Sequence, residues 1–185
     1  MKRRAFLLRG ALFTGGLGLA VLPAAWLAGC NRTAPAAADL PDAVWRTLAA
    51  VQSHLFPSEP GAPGAAEIDA LGYVKSMLAV PGVDPAERSA IIVGAQTVEQ
   101  NALALAGKVF GELAEAQREA VLRGFEASDA GRRWLAGMMN YLIEALLADP
   151  VYGGNPDGIG WRWLDHFPGF PRPPADKRYF LLQRP

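Results

Sequence analysis

From residue 42 onwards, apolar residues recur at spacings of three and four, which is the period of an amphipathic helix. Residues that break helices or form turns separate these segments, such as Pro57 after the first and Asp149-Pro150 after the last. No alternating strand pattern is longer than four residues. The pattern therefore predicts an all-α fold, a bundle of about five helices. Their expected ranges are about 42–56, 65–78, 84–106, 114–127 and 129–147.

Aspartates stand where three of these helices begin, and apolar residues define their buried faces. Asp42, Asp84 and Asp129 are expected to cap the first, third and fifth helices. Residues expected on the buried faces of the third and fifth helices are Ile91, Ile92, Ala95, Val98, Leu105, Trp134, Leu135, Met138, Met139, Leu142, Leu146 and Leu147.

The chain after Pro150 is rich in Gly, Pro and aromatic residues and is predicted to form an ordered but irregular tail. It begins with DPVYGGNPDGIGW, residues 149–161. Gly153-Gly154 permits positive φ, Asn155 tolerates left-handed geometry, and Pro156 fixes the turn that follows. Two interpretations remain open. The tail lies over its own bundle, or it docks onto a partner through its aromatic side chains.

The first residues have the layout of an export signal, in which a basic cluster precedes an apolar, glycine-containing run from 11 to 28. Arg3 and Arg4, followed by Phe6 and Leu7, resemble the twin-arginine motif, whose export route carries folded proteins. Glycines and Pro23 weaken the alternative of a permanent membrane-spanning helix.

The end of this segment, Leu27-Ala28-Gly29-Cys30, resembles the lipobox of bacterial lipoproteins. In a lipobox the cysteine receives a diacylglycerol and cleavage occurs just before it, and two or three acyl chains anchor a protein stably. The sequence therefore predicts a twin-arginine-type lipoprotein signal peptide at 1–29, a linker at 30–41 and a helical domain at 42–185. The mature protein is expected in the periplasm, with its lipid in a membrane.

Charge and cysteine content exclude several classes of protein. The formal net charge is zero, but four of the 18 basic residues lie within the first ten positions. The remainder are outnumbered by 18 acidic residues, and a mildly acidic domain does not suit nucleic-acid binding. The single cysteine excludes an internal disulfide, a thiolate metal cluster and the C-x-x-C-H attachment of haem c.

No catalytic constellation is visible in the sequence. The glycine stretch lies between a helix and a tail, whereas a dinucleotide loop lies between a strand and a helix. Glu67 and Asp69 are two residues apart and diverge on a helix, and no nucleophile elbow is present. His54 is expected to be a capping or surface residue, and the chain itself is expected to hold no cofactor or metal.

Two segments resemble a known family. FPSEPGAPGAAEIDALGYVKSML and DPVYGGNPDGIGWRWLDHFPG are similar to the small subunit, subunit 3 or gamma, of membrane-associated gluconate 2-dehydrogenase. The resemblance covers roughly Trp45 to Gly169. The chain departs from it in the lipobox and in the segment RWLDH before Phe167.

The resemblance implies a role beside an enzyme. Such small subunits accompany a flavin-dependent large subunit of the glucose-methanol-choline type, which carries the FAD and the chemistry. A multihaem cytochrome c often completes the complex, and related complexes oxidise sugars, sugar acids or sugar alcohols. The large subunit is thought to cross the membrane together with the small one.

Contacts with this partner are expected in and after the glycine stretch. Two other classes stay open: a free-standing lipoprotein that binds something else, and an enzyme in its own right, which would need a convergent polar pocket. The residues expected to contact the partner are Tyr152, Gly153, Gly154, Asn155, Asp157, Trp161 and Trp163.

Overall fold

The computed structural model describes residues 40–182, and all the regular structure in that range is helical. The all-α prediction is confirmed, and the five predicted helices correspond to α1 to α5. A sixth, short helix lies in the segment predicted to be irregular. The predicted signal peptide, lipobox and most of the linker lie outside the described residues. The helices are α1 (Asp42–Leu55), α2 (Ala70–Leu78), α3 (Pro85–Ala106), α4 (Glu115–Glu126), α5 (Asp129–Leu147) and α6 (Ile159–Trp163).

The bundle has a main core and a smaller second one. The main core lies between the five helices α1 to α5, and in it Phe125 and Trp134 meet edge to face at 5.7 Å between ring centroids. The second core joins the segment before α2 to the last turns of α5, through residues such as Ile68, Leu142 and Ala145. The tail after α5 packs against this second core, so the second core positions the candidate site.

The second helix begins at Ala70, so the prediction that it begins near Ala65 was wrong. Residues 65–69 instead form hydrogen-bonded turns, although Ile68 is fully buried. Asp69 has a left-handed conformation, with φ of 50°, and its carboxylate accepts the N–H of Gly72 at 3.1 Å. The left-handed conformation of Asp69 prevents the preceding turns from continuing into the helix. The capping carboxylate of Asp69 then marks the start of α2.

Two of the three predicted caps were wrong by one residue. Asp84 does cap α3, because its carboxylate accepts the N–H of Ala86 at 2.8 Å. The fifth helix is capped by Ser128, and Asp129 is its first residue. Asp42 is likewise the first residue of α1. Both aspartates therefore lie in a first turn, where a negative charge still interacts favourably with the helix dipole.

Some residues predicted to be buried face outwards. Leu105 is exposed near the end of α3, where Ala102 faces the core instead. On α5, Met138 and Leu142 are buried, and their neighbours one position along point away because each helical residue turns by about 100°. Met139, Ile143 and Leu147 consequently form an exposed apolar row, here called the α5 stripe.

Among residues 40–182, no helix combines the length and the hydropathy needed to cross a bilayer.

Candidate interaction surface

The segment Asp149–Gly158, here called the closing loop, is fixed by one buried amide side chain. Asn155 is completely buried, and its backbone N–H donates to the carbonyl of Ile68 at 2.7 Å. Its side-chain Nδ2 donates to the carbonyl of Ala148 at 2.9 Å, and its Oδ1 accepts the N–H of Gly160 at 2.7 Å. Asn155 thereby ties the end of α5 and the start of α6 to the segment before α2.

Glycines in this loop and at the start of α6 allow close backbone approach. A Cβ on Gly154 would lie 3.1 Å from Ala145 and from Tyr73, at a φ of +73°. A Cβ on Gly160 would lie 2.1 Å from the carbonyl oxygen of Leu146. A larger residue at Gly160 would therefore push α6 away from α5.

The closing loop does not fit the diphosphate of a flavin or other nucleotide. A phosphate-binding loop needs several free backbone N–H groups that converge on one point. Here the N–H groups of Gly153, Asn155, Gly158 and Gly160 all donate to acceptors within the chain. The glycine-rich stretch is therefore a packing element. Its backbone N–H groups bond to the chain itself and do not form the phosphate site that its glycine content suggests.

Trp161 packs inwards and is held by two polar contacts. It is 8% exposed, and its Nε1 donates to the carbonyl of Leu147 at 2.8 Å. The guanidinium of Arg172 lies over its ring at 5.2 Å, in cation–π geometry. Arg172 also forms two hydrogen bonds with the carboxylate of Asp149, at 2.8 and 3.1 Å. These hydrogen bonds lower the pKa of Asp149 below its usual value.

Tyr152 links the closing loop to the C-terminal end of the described chain. Its ring lies 5.6 Å from that of Tyr179 and 6.4 Å from that of Phe180. Its hydroxyl accepts the N–H of Tyr179 at 3.4 Å. Tyr152 is therefore partly covered by its own tail.

Several large apolar side chains at the end of α6 and after it lack such cover. Phe167 and Phe170 are 73% and 76% exposed, and their rings contact only each other among the ring pairs of the described chain, at 5.6 Å. Trp163 is 41% exposed and touches the edge of Phe56 at 6.2 Å. Together with the α5 stripe, these residues are the main exposed apolar surfaces on this part of the molecule.

A polar cleft of about 810 Å³ opens between the α2–α3 turn, α5 and the C-terminal segment. Tyr141 donates to Glu87 along its wall, and Tyr73 donates to Glu144 at 3.2 Å behind it. Burial, followed by the neighbouring Glu144, raises the pKa of Tyr73, and burial with Glu87 does the same for Tyr141. Both phenols stay protonated donors, so each pair fastens one element to another.

Other polar groups that the sequence singled out also have structural roles. Glu67 accepts the hydroxyl of Ser58, and Asp69 caps α2. His54 is mostly buried, and its Nε2 lies 2.9 Å from Glu119, which joins α1 to α4. Within residues 40–182, no three His, Cys, Asp or Glu side chains are grouped to hold a metal ion.

The structure places the seven predicted partner-binding residues in different environments. Gly154, Asn155 and Trp161 are buried, and Tyr152 and Gly153 are half-buried. Asp157 and Trp163 are exposed. Contact of all seven with a partner stays a prediction, and the buried ones would act through the shape of the loop.

Sequence reasoning missed the α5 stripe and the exposed phenylalanines. The stripe has a sequence signal, because Met139, Ile143 and Leu147 follow one another at spacings of four. Phe167 and Phe170 were noted only as part of the aromatic content of the tail, and nothing in their spacing indicates exposure.

Comparison with known proteins gives one family. The sequence model of the family described as gluconate 2-dehydrogenase subunit 3 matches residues 42–169, from the first residue of α1 to beyond α6. No curated protein and no solved structure matches the chain. The match covers more than half of the chain and includes the whole closing loop. The chain therefore belongs to the gluconate 2-dehydrogenase subunit 3 family, a family of accessory subunits of a dehydrogenase complex.

Proposed function

We propose that this chain is the non-catalytic small subunit of a periplasmic, membrane-associated dehydrogenase that oxidises a sugar or a sugar acid with FAD. It accompanies a flavin large subunit of the glucose-methanol-choline type through export and maturation and holds it at the membrane. The family match over residues 42–169 carries this proposal. The closing loop supports it, because the N–H groups of Gly153, Asn155, Gly158 and Gly160 already donate within the chain and do not converge on a nucleotide diphosphate.

The redox groups of the complex belong to other chains in this proposal. FAD lies in the large subunit, and haem c lies in a multihaem cytochrome where one is present. A single cysteine in this chain does not allow the two-cysteine attachment of haem c. Substrate choice is therefore a property of the large subunit.

The α5 stripe and Trp163 are the proposed docking surface for the large subunit. The stripe is an uninterrupted apolar row on a rigid helix, a form that partners bind through helix-and-groove contacts. Trp163 adds a large aromatic side chain close to the same end of α5, because α6 packs on the last turns of that helix. Exposed tryptophans of this kind are frequent binding hot spots.

Export and anchoring are proposed to use the N-terminal segment. Arg3-Arg4 would direct the folded chain, with its bound partner, through the twin-arginine route. Cys30 would then carry the lipid that attaches the complex to a membrane.

Co-purification tests the central claim. The full chain, tagged at its C-terminus and isolated from membranes of its native host, should retain a protein with a flavin absorbance spectrum that mass spectrometry identifies as a dehydrogenase. Ile143→Glu and Trp163→Ala should each lower that retention, by about 30-fold in affinity for a true hot spot. Val93→Glu on α3 is the matched control, since Val93 is also exposed on a helix.

Unchanged thermal midpoints in these variants would assign the loss to docking rather than to unfolding. If the unsubstituted chain retains no flavoprotein, the accessory-subunit proposal fails and the free-standing lipoprotein takes its place.

A further inference from the structure

We propose that the loop Leu164–Arg172, here called the Phe loop, inserts its tip into an anionic lipid bilayer and so forms a second membrane contact. The tip carries Phe167 and Phe170, the two most exposed of the large apolar side chains in residues 40–182. Gly169, with φ of +81°, turns the chain between them. The two rings therefore sit side by side at a turn, with water on their outer faces.

The backbone of the tip suits the membrane interface. Pro168 and Pro171 have no N–H group, so the five residues 167–171 bring only three backbone donors to the interface. Each unsatisfied N–H donor adds to the free-energy cost of entering an apolar phase. The two prolines remove two such donors and so lower the cost of inserting the tip. Aromatic side chains are enriched at the boundary between acyl chains and headgroups.

The distribution of charge favours the same orientation. Residues 161–182 carry two acidic and four basic side chains, of which Arg172 is paired with Asp149, whereas residues 40–160 carry eight basic and fifteen acidic ones. An anionic membrane attracts the first segment and repels the second. The molecule would therefore approach such a surface with the Phe loop towards it and the body of the bundle away from it.

The length of the chain before the bundle keeps the loop within reach of the membrane. This step rests on the proposed lipid at Cys30. The ten residue-to-residue steps from Cys30 to Leu40 span at most about 35 Å when fully extended. A domain tethered this closely meets the bilayer at a high effective concentration, so a small apolar tip is sufficient for a stable contact.

A fluorescent label placed beside the tip tests this contact. Cys30 is the only cysteine, so once it is acylated an introduced cysteine is the only free thiol. His166→Cys, labelled with an environment-sensitive dye, keeps both phenylalanines. Ala116→Cys, an exposed position on α4, is the matched control. The full mature chain is mixed with vesicles of phosphatidylethanolamine and phosphatidylglycerol, or of phosphatidylcholine alone.

The label at residue 166 should shift to the blue and brighten severalfold on the anionic vesicles, and the label at residue 116 should not. Phe167→Ser with Phe170→Ser should abolish the shift while leaving the thermal midpoint unchanged, because both side chains are exposed. Phosphatidylcholine vesicles should give a smaller shift.

Three results would overturn the proposal: no shift at residue 166, equal shifts at both positions, or a shift that requires the dehydrogenase subunit and occurs without vesicles. The last would make the Phe loop a protein contact. Vesicle flotation of all variants reports the lipid at Cys30 separately, and a Cys30→Ser background, which has neither the lipid nor a second thiol, can still be titrated with vesicles.

Discussion

At the scale of single residues, Asn155 contributes more than its tolerance of left-handed geometry. Two of its side-chain atoms pair with backbone groups that belong to different elements, at the end of α5 and the start of α6. A buried backbone group that loses its partner costs about 1–3 kcal/mol. The residue therefore closes the loop through hydrogen bonds as well as through its backbone conformation.

Asn155→Ala should lower the free energy of unfolding by about 3 kcal/mol or more, because it leaves the carbonyl of Ala148 and the N–H of Gly160 unpaired. Asp157→Ala is the control, since Asp157 also has positive φ, 53°, but is exposed. It should cost only the left-handed strain, about 1 kcal/mol. Urea denaturation measures both, and equal losses would show that the hydrogen bonds of Asn155 contribute nothing.

The ion pair between Asp149 and Arg172 predicts a pH dependence. Arg172 lowers the pKa of Asp149 below the usual 3.8, so the pair stabilises the fold fully above about pH 3.8. That stabilisation is lost as the pH falls through the lower pKa of the folded state.

Arg172→Gln should therefore destabilise the protein by a constant amount from pH 7 to pH 5, and by progressively less below pH 3.8. Urea denaturation of the two proteins at each pH gives the difference. A difference that is as large at pH 3 as at pH 7 would exclude this role for the pair.

Sequence analysis predicted the turn residues of the closing loop but not their contacts. Positive φ at Gly153, Gly154 and Asn155 follows from residue type, because few other residues adopt it. The acceptor at Ile68 lies 87 positions away in the sequence, and no local pattern indicates such a distant partner.

At the scale of helices, α3 and α5 cross closely at Gly94. A Cβ on Gly94 would lie 2.0 Å from Nε1 of Trp134, the atom that donates to the carbonyl of Ile91 at 3.3 Å. Gly124 lies in the last turn of α4 and has open space where its Cβ would be. Both glycines are helical, but only Gly94 packs closely against a neighbouring helix.

Gly94→Ala should destabilise the bundle by about 1–3 kcal/mol, since the added methyl displaces Trp134 from the core. Gly124→Ala should stabilise it through helix propensity alone, by less than the roughly 0.5–1 kcal/mol of a helix interior because the residue lies in the last turn. Thermal and urea unfolding of both variants test the pair. A stabilising Gly94→Ala would mean that Trp134 moves aside freely.

The helices were the most predictable part of the molecule. Periodicity located five of them, and the errors fell where a side chain altered a boundary, as Asp69 does before α2. Buried faces were less predictable, because Met138 and Met139 are equally apolar and only the packing of the neighbouring helices decides which one is buried. The exposure of the α5 stripe depends on how the helices pack, and the amino-acid composition of α5 does not predict it.

At the scale of the whole molecule, residues 40–182 form a bundle of helices followed by a short, basic tail. In the proposed complex FAD belongs to the large subunit, and a flavoprotein that binds FAD in the cytoplasm has to cross the membrane already folded. The twin arginines are therefore proposed to serve the partner as well as this chain.

Arg3→Lys combined with Arg4→Lys keeps the charge of the leader and removes the motif. It should leave the dehydrogenase activity of the partner in the cytoplasm, while Arg9→Lys, outside the motif, should have no effect. Activity is measured in periplasmic and cytoplasmic fractions of the native host. Normal activity in the periplasm of the double variant would contradict co-export.

The link from Asn155 to Ile68 also has a consequence for the order of folding. Its two ends are 87 residues apart, and in the folded protein they meet where α2 packs on α5. We expect so distant a pair to form after the transition state, with φ-values near zero. Its loss should then accelerate unfolding and leave the refolding rate unchanged. On this prediction the closing loop sets how long the folded protein persists, and the bundle sets how quickly it forms.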